Sequence, residues 1–311
     1  MTKSRPTPIT QKQVAAFLKP RPKDSHKGMF GTVTVIGGAN GMVGAALLAG
    51  RAALKLGAGC VHVGLLADNA PVVDGMMPEL MLHSASDVLK SHPLHPRELS
   101  LPHREREAKP FSLRGKGWEG GDVLVLGCGL GQSLAAQKVL YDALLLDVPL
   151  VLDADALNII AVRPDLRGML YTRKTPSVFT PHPGEAAHLL ACSTEDIQND
   201  RTGAALHLAQ KLNGSVVLKG AGSLCATRDG KLFINQTGNP GMSSAGMGDV
   251  LAGMIAAFIA QGLHADEAML LAVHLHGAAG DALAQQQATI GMSASELTEW
   301  ARWLLNRIAP N

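Results

Sequence analysis

Residues 32–65 read TVTVIGGANGMVGAALLAGRAALKLGAGCVHVGL, and this stretch decides the fold class. The β-branched run Thr32–Gly37 is typical of a buried strand. Gly44–Leu56 has the Ala/Leu periodicity of a helix and is followed by Gly57, which favours a helix end. Gly59–Leu65 predicts the next strand. A strand, a helix and a second strand in this order form a βαβ unit, which implies a parallel sheet.

The same alternation continues along the chain and predicts an α/β protein. Further strands are predicted over Asp122–Leu126, Leu150–Leu152, Val178–Thr180, Ser215–Lys219, Ser223–Thr227 and Leu232–Asn235. Further helices are predicted after Thr10, over Ala135–Leu145, Thr202–Leu212, Ala265–Ala284 and Glu296–Ile308, and after Asp249. No linker separates two cores, so we expect one domain over residues 1–311, with residues 91–118 as a surface insertion.

The composition excludes several classes of protein. Of 311 residues, 46% are hydrophobic, enough for a large core, while a net charge of +2 and 4% aromatics do not suit a nucleic-acid surface. The four cysteines form no CxxC pair, which argues against a cysteine zinc site and for reduced thiols in a cytoplasmic protein. The polar residues 1–23 do not resemble a secretory signal, and no apolar run is long enough to span a membrane.

The most informative motif for function is the loop Asn239–Gly253, which runs from small residues into an apolar helix. A helix N-terminus has unpaired N–H groups and a partial positive charge, and Gly246 and Gly248 allow a phosphate to approach them. Asp249 would lie beside that anion, where it could accept a proton from an attacking hydroxyl. This predicts phosphoryl transfer to an alcohol; the alternative is that Asp249 only caps the helix.

Chemically active residue types recur where the predicted strands end, which is where parallel sheets bind ligands. Neither glycine cluster has the spacing of a dinucleotide fingerprint, and no Walker motif occurs. The segments at these strand ends are Gly37–Gly44, the glycines of Gly127–Gly131, Asp153 and Asp155, His182 and Glu185, Lys219–Ser223, and Asp249.

Three pairs of polar residues have a structural alternative. Glu185 could hold a magnesium-bound water, with His182 three residues before it, or it could cap the helix Glu185–Leu190. Asp153 and Asp155 could cap a helix through 156–160, and for Asp153 we favour that role. His274 and His276 alternate in an apolar helix and are interpreted as satisfied core or interface residues rather than metal ligands.

Together these motifs resemble the ADP-dependent NAD(P)H-hydrate dehydratases, a branch of the ribokinase-like superfamily. The resemblance rests on seven segments in order: Pro22–Gly28, Val35–Gly38, Gly57–Gly59, Asp153–Asn158, Thr180–Glu185, Leu218–Gly222 and Gly238–Asp249. It implies a ribokinase-like fold, a central, mostly parallel sheet flanked by helices on both faces. It also implies a repair reaction on NADH or NADPH hydrated at ring carbon C6 (NADHX or NADPHX). The family phosphorylates that hydroxyl from ADP and then eliminates phosphate, giving NAD(P)H and AMP.

The resemblance assigns roles to residues of this chain. Asp249 would be the catalytic base, next to an anion hole formed by Gly246, Met247 and Gly248. The hydrated cofactor would be bound by Ala45, Gly129, His182 and Asp249, with Gly131 as the alternative to Gly129. The adenine nucleotide would be bound by Lys219, Gly220, Ala221, Gly222, Ser223 and Gly248. Ser223 stands where the family pattern has threonine and keeps a hydroxyl.

The resemblance further implies Mg²⁺, ADP as phosphoryl donor with ATP as the alternative, and a homotetramer or other homo-oligomer. The chain is too short for the epimerase domain of many relatives, so we expect it to act on the S epimer alone. Two other functions compete with this one. The first is a ribokinase-like small-alcohol kinase that stops at the phosphate ester, and the second is a nucleotide-binding regulator on the same fold.

Overall fold

The computed structural model describes residues 5–90 and 121–310, and within them ten strands form one sheet. The strand order is β1-β10-β9-β8-β7-β6-β5-β2-β3-β4. All neighbouring pairs are parallel except the two that include β9. The strands are β1 Thr7–Pro8, β2 Thr32–Gly37, β3 Cys60–Leu65, β4 Met81–Ser84, β5 Asp122–Leu126, β6 Leu150–Leu152, β7 Ser177–Phe179, β8 Ser215–Leu218, β9 Leu224–Ala226 and β10 Leu232–Ile234.

Helices cover both faces of this sheet, which confirms the predicted α/β class. One apolar cluster joins Val33 and Val35 of β2 to α2, α10, α11 and α12, and the other joins Leu124 and Leu126 of β5 to α4, α5, α7 and α9. The helices are α1 Gln11–Ala15, α2 Val43–Lys55, α3 Ala85–Lys90, α4 Leu134–Leu144, α5 Ala154–Val162, α6 Pro164–Thr172, α7 Pro183–Leu190, α8 Thr194–Asn199, α9 Arg201–Leu212, α10 Met247–Ala260, α11 Ala265–Gln286 and α12 Ala294–Ile308.

The central strands are apolar along their length because both of their faces are buried. Leu150–Leu152 and Ser215–Leu218 have no exposed residue, and five of the six residues of β2 are buried. This is the expected pattern for a parallel sheet between two helical layers, where no face can carry polar side chains. The predicted strands were therefore recognisable from continuous apolar runs rather than from alternation.

The register places the carboxyl ends of five central strands side by side. Ile36 pairs with Leu126, Leu126 with Leu152, and Leu152 with Phe179. Phe179 in turn pairs with Val216 of β8. The loops that follow β2, β5, β6, β7 and β8 consequently leave the sheet at a common edge, as the sequence predicts.

Some element boundaries differ from the prediction. The helix predicted to follow Asp249 begins at Met247 and contains that residue. The short elements β1, β4, α3, α6 and α8 were not predicted, because they are too short or too exposed to show a clear apolar period. The predicted N-cap at Thr10 is confirmed by its side chain, which accepts a hydrogen bond from the Gln13 N–H. The predicted insertion at residues 91–118 lies outside the described residues.

Across the described ranges, no helix combines the length and the apolar character that crossing a bilayer would require.

Helices α2 and α10 pack closely enough to require glycine at their contact. A methyl group added at Gly253 would lie 2.1 Å from the Ala49 carbonyl oxygen, which belongs to the backbone of α2 and cannot move aside alone. Gly168 in α6 is exposed, and a methyl group added there meets nothing within 4 Å among the described residues.

We therefore expect opposite effects from the same substitution at these two helical glycines. Gly253→Ala should destabilise the fold by about 1–3 kcal/mol, because the two helices must separate to admit the methyl group. Gly168→Ala should stabilise it by up to about 1 kcal/mol, because alanine has the higher helix propensity. Urea unfolding of both variants measures the difference, and equal shifts would contradict the tight contact between α2 and α10.

Candidate active site

The N-terminus of α10 presents unpaired backbone N–H groups at the carboxyl edge of the sheet. The helix starts after Gly246, which has φ +90° and no side chain to cap the first turn. The first hydrogen bond of the helix runs from the Val250 N–H to the Gly246 carbonyl, four residues earlier, at 3.0 Å. The N–H groups of the first turn remain available to an anion, and the helix dipole favours negative charge there.

Asp249 lies in this first turn and is the third residue of the helix. Because Gly246 occupies the cap position, the alternative that Asp249 is only a helix cap is wrong. Burial is the main reason why the pKa of Asp249 is raised to about 6. A hydrogen bond from the Cys128 thiol and the charge of Lys219 lower this pKa, whereas the charge of Asp153 raises it further. A carboxyl with such a pKa can accept a proton near neutral pH.

The ammonium group of the half-buried Lys219 lies next to this turn. Its Nζ is 2.6 Å from Asp153 Oδ1 and 3.9 Å from Glu185 Oε2. Burial lowers the pKa of Lys219, but the two carboxylates outweigh this effect, and the net pKa is raised. A methyl group added at Gly248 would lie 3.3 Å from this Nζ, so the positive charge stands directly beside the first turn of α10.

Asp153 does not have the side-chain role that the sequence favoured. It precedes α5 in the N-cap position, but its side chain makes no capping hydrogen bond. Its Oδ1 instead accepts hydrogen bonds from Lys219 and from the Thr180 hydroxyl, the latter at 2.8 Å. A carboxylate that is only 2% exposed gains more from an adjacent cation than from a backbone N–H. The preference for a cap at Asp153 is therefore corrected.

His182 and Glu185 form a reciprocal capping box at the start of α7. His182 Nδ1 accepts hydrogen bonds from the N–H groups of Gly184 and Glu185, and Glu185 Oε2 accepts one from the His182 N–H at 2.8 Å. The capping alternative for Glu185 is thus correct. The same carboxylate also faces Lys219, and burial raises its pKa although Lys219 opposes the shift.

The two glycine loops after β2 and β5 bind each other through their backbones. The Gly38 N–H donates to the Cys128 carbonyl at 3.1 Å, and the Ala39 N–H donates to the Gly129 carbonyl at 2.7 Å. A methyl group added at Gly129 would lie 3.1 Å from the Cβ of Ala45, so these two predicted substrate-binding residues are neighbours. Gly131, the predicted alternative to Gly129, donates its N–H to Asp155 Oδ2 at 2.8 Å.

The loop Lys219–Ser223 joins β8 to β9 at the same edge, next to the capping box. The Lys219 N–H donates to the Pro181 carbonyl at 2.9 Å, and the Ser223 hydroxyl donates to the Gly220 carbonyl at 3.0 Å. Arg201, at the start of α9, contacts carbonyl oxygens of this loop. The sequence around Arg201 gave no signal of this contact, because an arginine at a polar helix start is part of no motif.

Helix α11 supports the segment that leads into α10. Asp281 accepts hydrogen bonds from the Gly238 N–H and the Asn239 side chain, at 2.9 and 3.1 Å. His276 Nε2 lies 3.0 Å from the Met247 carbonyl, and burial lowers its pKa to about 4, so the ring is neutral and donates. His276 is the satisfied core residue that was predicted. His274 differs, because its buried Nδ1 has no partner among residues 5–90 and 121–310.

One group of possible metal ligands occurs within the described ranges. Atoms of Cys128, Asp153 and Asp249 lie within 4.8 Å of one another, and Glu185 is not part of that group. Cys128 is buried, and burial with the adjacent carboxylates raises the pKa of its thiol well above the usual value. A neutral thiol is a poor ligand for Mg²⁺, whereas the carboxylate oxygens suit it.

Comparison with known proteins supplies the family. The model of a family described as NAD(P)H-hydrate dehydratase matches residues 33–302. The chain is 39% identical over 295 residues to the ADP-dependent (S)-NAD(P)H-hydrate dehydratase of Neisseria meningitidis, covering 93% of this chain and 90% of that protein. Relatives described as bifunctional NAD(P)H-hydrate repair enzymes are longer, and the chain spans about half of their length.

Solved structures agree with this comparison. The ADP/ATP-dependent NAD(P)H-hydrate dehydratase from Bacillus subtilis, co-crystallised with ATP/Mg²⁺, has a TM-score of 0.80 and 28% identity, covering 98% of this chain and 99% of that one. A ribokinase-like superfamily protein from Enterococcus faecalis has a TM-score of 0.75 and 26% identity, covering 97% and 96%. The fold is ribokinase-like, as the resemblance implied, and the chain belongs to the NAD(P)H-hydrate dehydratase family.

Proposed function

We propose that this chain dehydrates the S epimer of NADHX or NADPHX to NAD(P)H, with ADP converted to AMP and phosphate. The observation that carries the proposal is the uncapped first turn of α10, with Asp249 in the turn and the Lys219 ammonium beside it. Anion-binding N–H groups, a base with a pKa near 6 and a nearby cation are what phosphoryl transfer to a hydroxyl requires.

In the first step, Asp249 accepts the proton of the C6 hydroxyl while the hydroxyl oxygen attacks the β-phosphorus of ADP. The bond from oxygen to phosphorus forms, the bond to the α-phosphate oxygen breaks, and AMP leaves. The N–H groups of Gly246, Met247 and Gly248 would hold the transferring phosphoryl group. Lys219 would offset its negative charge, because the ammonium lies against the Gly248 backbone.

In the second step, phosphate leaves from C6 with the bonding electrons, and the neighbouring carbon C5 loses a proton to water, which restores the double bond between C5 and C6. Phosphorylation is needed because hydroxide is a poor leaving group. The protein supplies position and charge in both steps, and the neutral His276 holds the Met247 carbonyl so that the first turn keeps its orientation.

The hydrated cofactor would bind to Ala45, Gly129, Gly131, His182 and Asp249. The contact of Ala45 with Gly129 and the position of His182 beside Glu185 and Lys219 support this assignment. The adenine nucleotide would bind to the backbone of Lys219, Gly220, Ala221, Gly222 and Ser223, and to Gly248.

Mg²⁺ would be held by Glu185 through a water molecule, with Asp153 as a second carboxylate near the same ammonium. The fit rests on the donor set, since both carboxylates are buried at the same ammonium and supply the oxygen atoms that magnesium prefers. When bound, the ion would neutralise phosphate charge. Glu185 and Asp153 would also keep Lys219 protonated and in place.

The proposal has further parts that rest on the family rather than on the site. We take ADP as the phosphoryl donor, with ATP as the alternative, because both present a terminal phosphate to the same helix N-terminus. We also propose one ribokinase-like domain for residues 1–311, a homotetramer or other homo-oligomer, and a cytoplasmic location.

Absorbance at 340 nm tests the activity directly. Purified (S)-NADHX is mixed with the protein, Mg²⁺ and either ADP or ATP, and a nucleotide-dependent rise in absorbance is expected. The nucleotide that gives the faster rise in absorbance is the phosphoryl donor. Folded protein that binds nucleotide but gives no rise would overturn the dehydratase in favour of the small-alcohol kinase.

Asp249→Asn should lower kcat by about 10²- to 10⁴-fold and leave ADP affinity nearly unchanged. The amide keeps the shape of the side chain but cannot accept the proton, whereas nucleotide binding uses backbone N–H groups. Steady-state rates and calorimetric titration with ADP separate the two effects. Near-normal turnover of this variant would show that another group is the base.

The pH dependence of kcat should have an acid limb near pH 6. Asp249 must be ionised to accept a proton, so activity falls as pH decreases through its pKa of about 6. Cys128→Ala should move this limb to higher pH, because the thiol hydrogen bond lowers that pKa. Cys128→Ser keeps a donor and serves as the matched control. Identical limbs in the alanine and serine variants would contradict the role of the thiol.

A further inference from the structure

Arg201 at the start of α9 lies beneath the loop Lys219–Ser223. Its Nη2 is 3.3 Å from the carbonyl oxygens of Leu218 and Lys219 and 3.5 Å from that of Gly222. A methyl group added at Gly220 would come within 3.0 Å of its Nη1. The guanidinium therefore lies against the loop backbone from one side and donates to several of its carbonyl groups.

Other donors join Arg201 in binding the carbonyl groups of the loop. The Gly220 carbonyl accepts from the Ser223 hydroxyl, and the Ser223 carbonyl accepts from the Asn235 N–H at 2.9 Å. Five carbonyl groups of residues 218–223 therefore have donors within the protein, and Arg201 supplies three of them.

The N–H groups of Gly220 and Ala221 face the other way. In each peptide unit the N–H points opposite to the C=O, so the Lys219 carbonyl held by Arg201 directs the Gly220 N–H outward, and the Gly220 carbonyl held by the Ser223 hydroxyl directs the Ala221 N–H outward. The N–H groups of Gly220, Ala221 and Gly222 have no acceptor among residues 5–90 and 121–310. Gly220 and Gly222 have φ values of +134° and +65°, and such positive-φ turns form concave anion-binding nests of N–H groups.

We propose that Arg201 is the positioning residue of the nucleotide site, which holds the loop Lys219–Ser223 as a preformed cradle of N–H donors for a phosphate of the adenine nucleotide. This inference rests on the proposed function, in which that loop binds ADP. Arg201 acts through the loop backbone, and its positive charge behind the cradle also favours an anion in front of it.

Arginine suits this place better than lysine. The planar guanidinium presents several N–H donors in a fixed arrangement and can serve carbonyls of successive residues, whereas an ammonium is a compact charge on a flexible stem. Arg201→Lys should therefore keep the charge and lose most of the ordering, and Arg201→Met should lose both.

Arg173 offers a matched control within the same chain. Its guanidinium also donates to three carbonyl oxygens, those of Leu144, Leu146 and Val148, at 2.5–2.9 Å. These carbonyls precede β6 and so lie at the amino edge of the sheet, opposite the candidate site. Arg173→Met removes the same kind of contact without touching the nucleotide loop.

The test is calorimetric titration of the full chain with ADP and Mg²⁺, without the hydrated cofactor. Arg201→Met should weaken ADP binding by about tenfold or more, Arg201→Lys by less, and Arg173→Met by less than about twofold even if its melting temperature falls. In turnover assays the Arg201 variants should raise KM for ADP and leave kcat at saturating ADP close to the wild-type value. Amide hydrogen exchange should accelerate in both Arg201 variants at Lys219, whose N–H donates to the Pro181 carbonyl.

Two results would overturn the inference. One is a folded Arg201→Met or Arg201→Lys protein with unchanged ADP affinity and unchanged exchange in the loop. The other is an equal loss of affinity in Arg173→Met, which would make the effect one of general stability. A third outcome separates the two proposals. If the Arg201 variants bind ADP more weakly than the wild type, but the wild type itself never restores absorbance at 340 nm, this inference is supported and the dehydratase proposal is rejected.

Discussion

The ion pair between the half-buried Lys219 and the buried Asp153 is the contact on which the carboxyl edge of the sheet depends. Taking an ammonium and a carboxylate out of water is costly, and the pair is tolerated only because each charge has several partners. Asp153 also accepts the Thr180 hydroxyl, and Lys219 also approaches Glu185. These contacts join the ends of β6, β7 and β8, so the loops that carry the site are held together by charge rather than by apolar packing.

This arrangement places energetic costs in the site. The pKa of Asp249 is raised to about 6 because the carboxyl is partly removed from water, and the nearby Asp153 adds to the shift. Ala154, directly after Asp153, has φ +46°, a conformation that costs a non-glycine residue about 1–3 kcal/mol. The two helical layers and their apolar clusters supply the stability against which these local costs are set.

The backbone would do much of the recognition in the proposed site. The first turn of α10 has unpaired N–H groups because of helix geometry. In the loop Lys219–Ser223, the N–H groups of Gly220 and Ala221 point outward because Arg201 and the Ser223 hydroxyl bind the preceding carbonyls. Helix α11 contacts the segment around the first turn through Asp281 and His276, and α9 contacts the loop through Arg201.

The sequence alone determined the parallel α/β sheet, the positions of the main elements and the family, because continuous apolar strands and glycine-rich strand ends are local patterns. It also identified Asp249 and Lys219 as residues of the site. Tertiary structure decided what their neighbours do. Asp153 is the partner of Lys219, 66 positions away, rather than the predicted cap. Arg201 reaches carbonyls 17 to 21 positions away, and Cys128 acts on Asp249 through burial. Contacts of this kind leave no local pattern in the sequence.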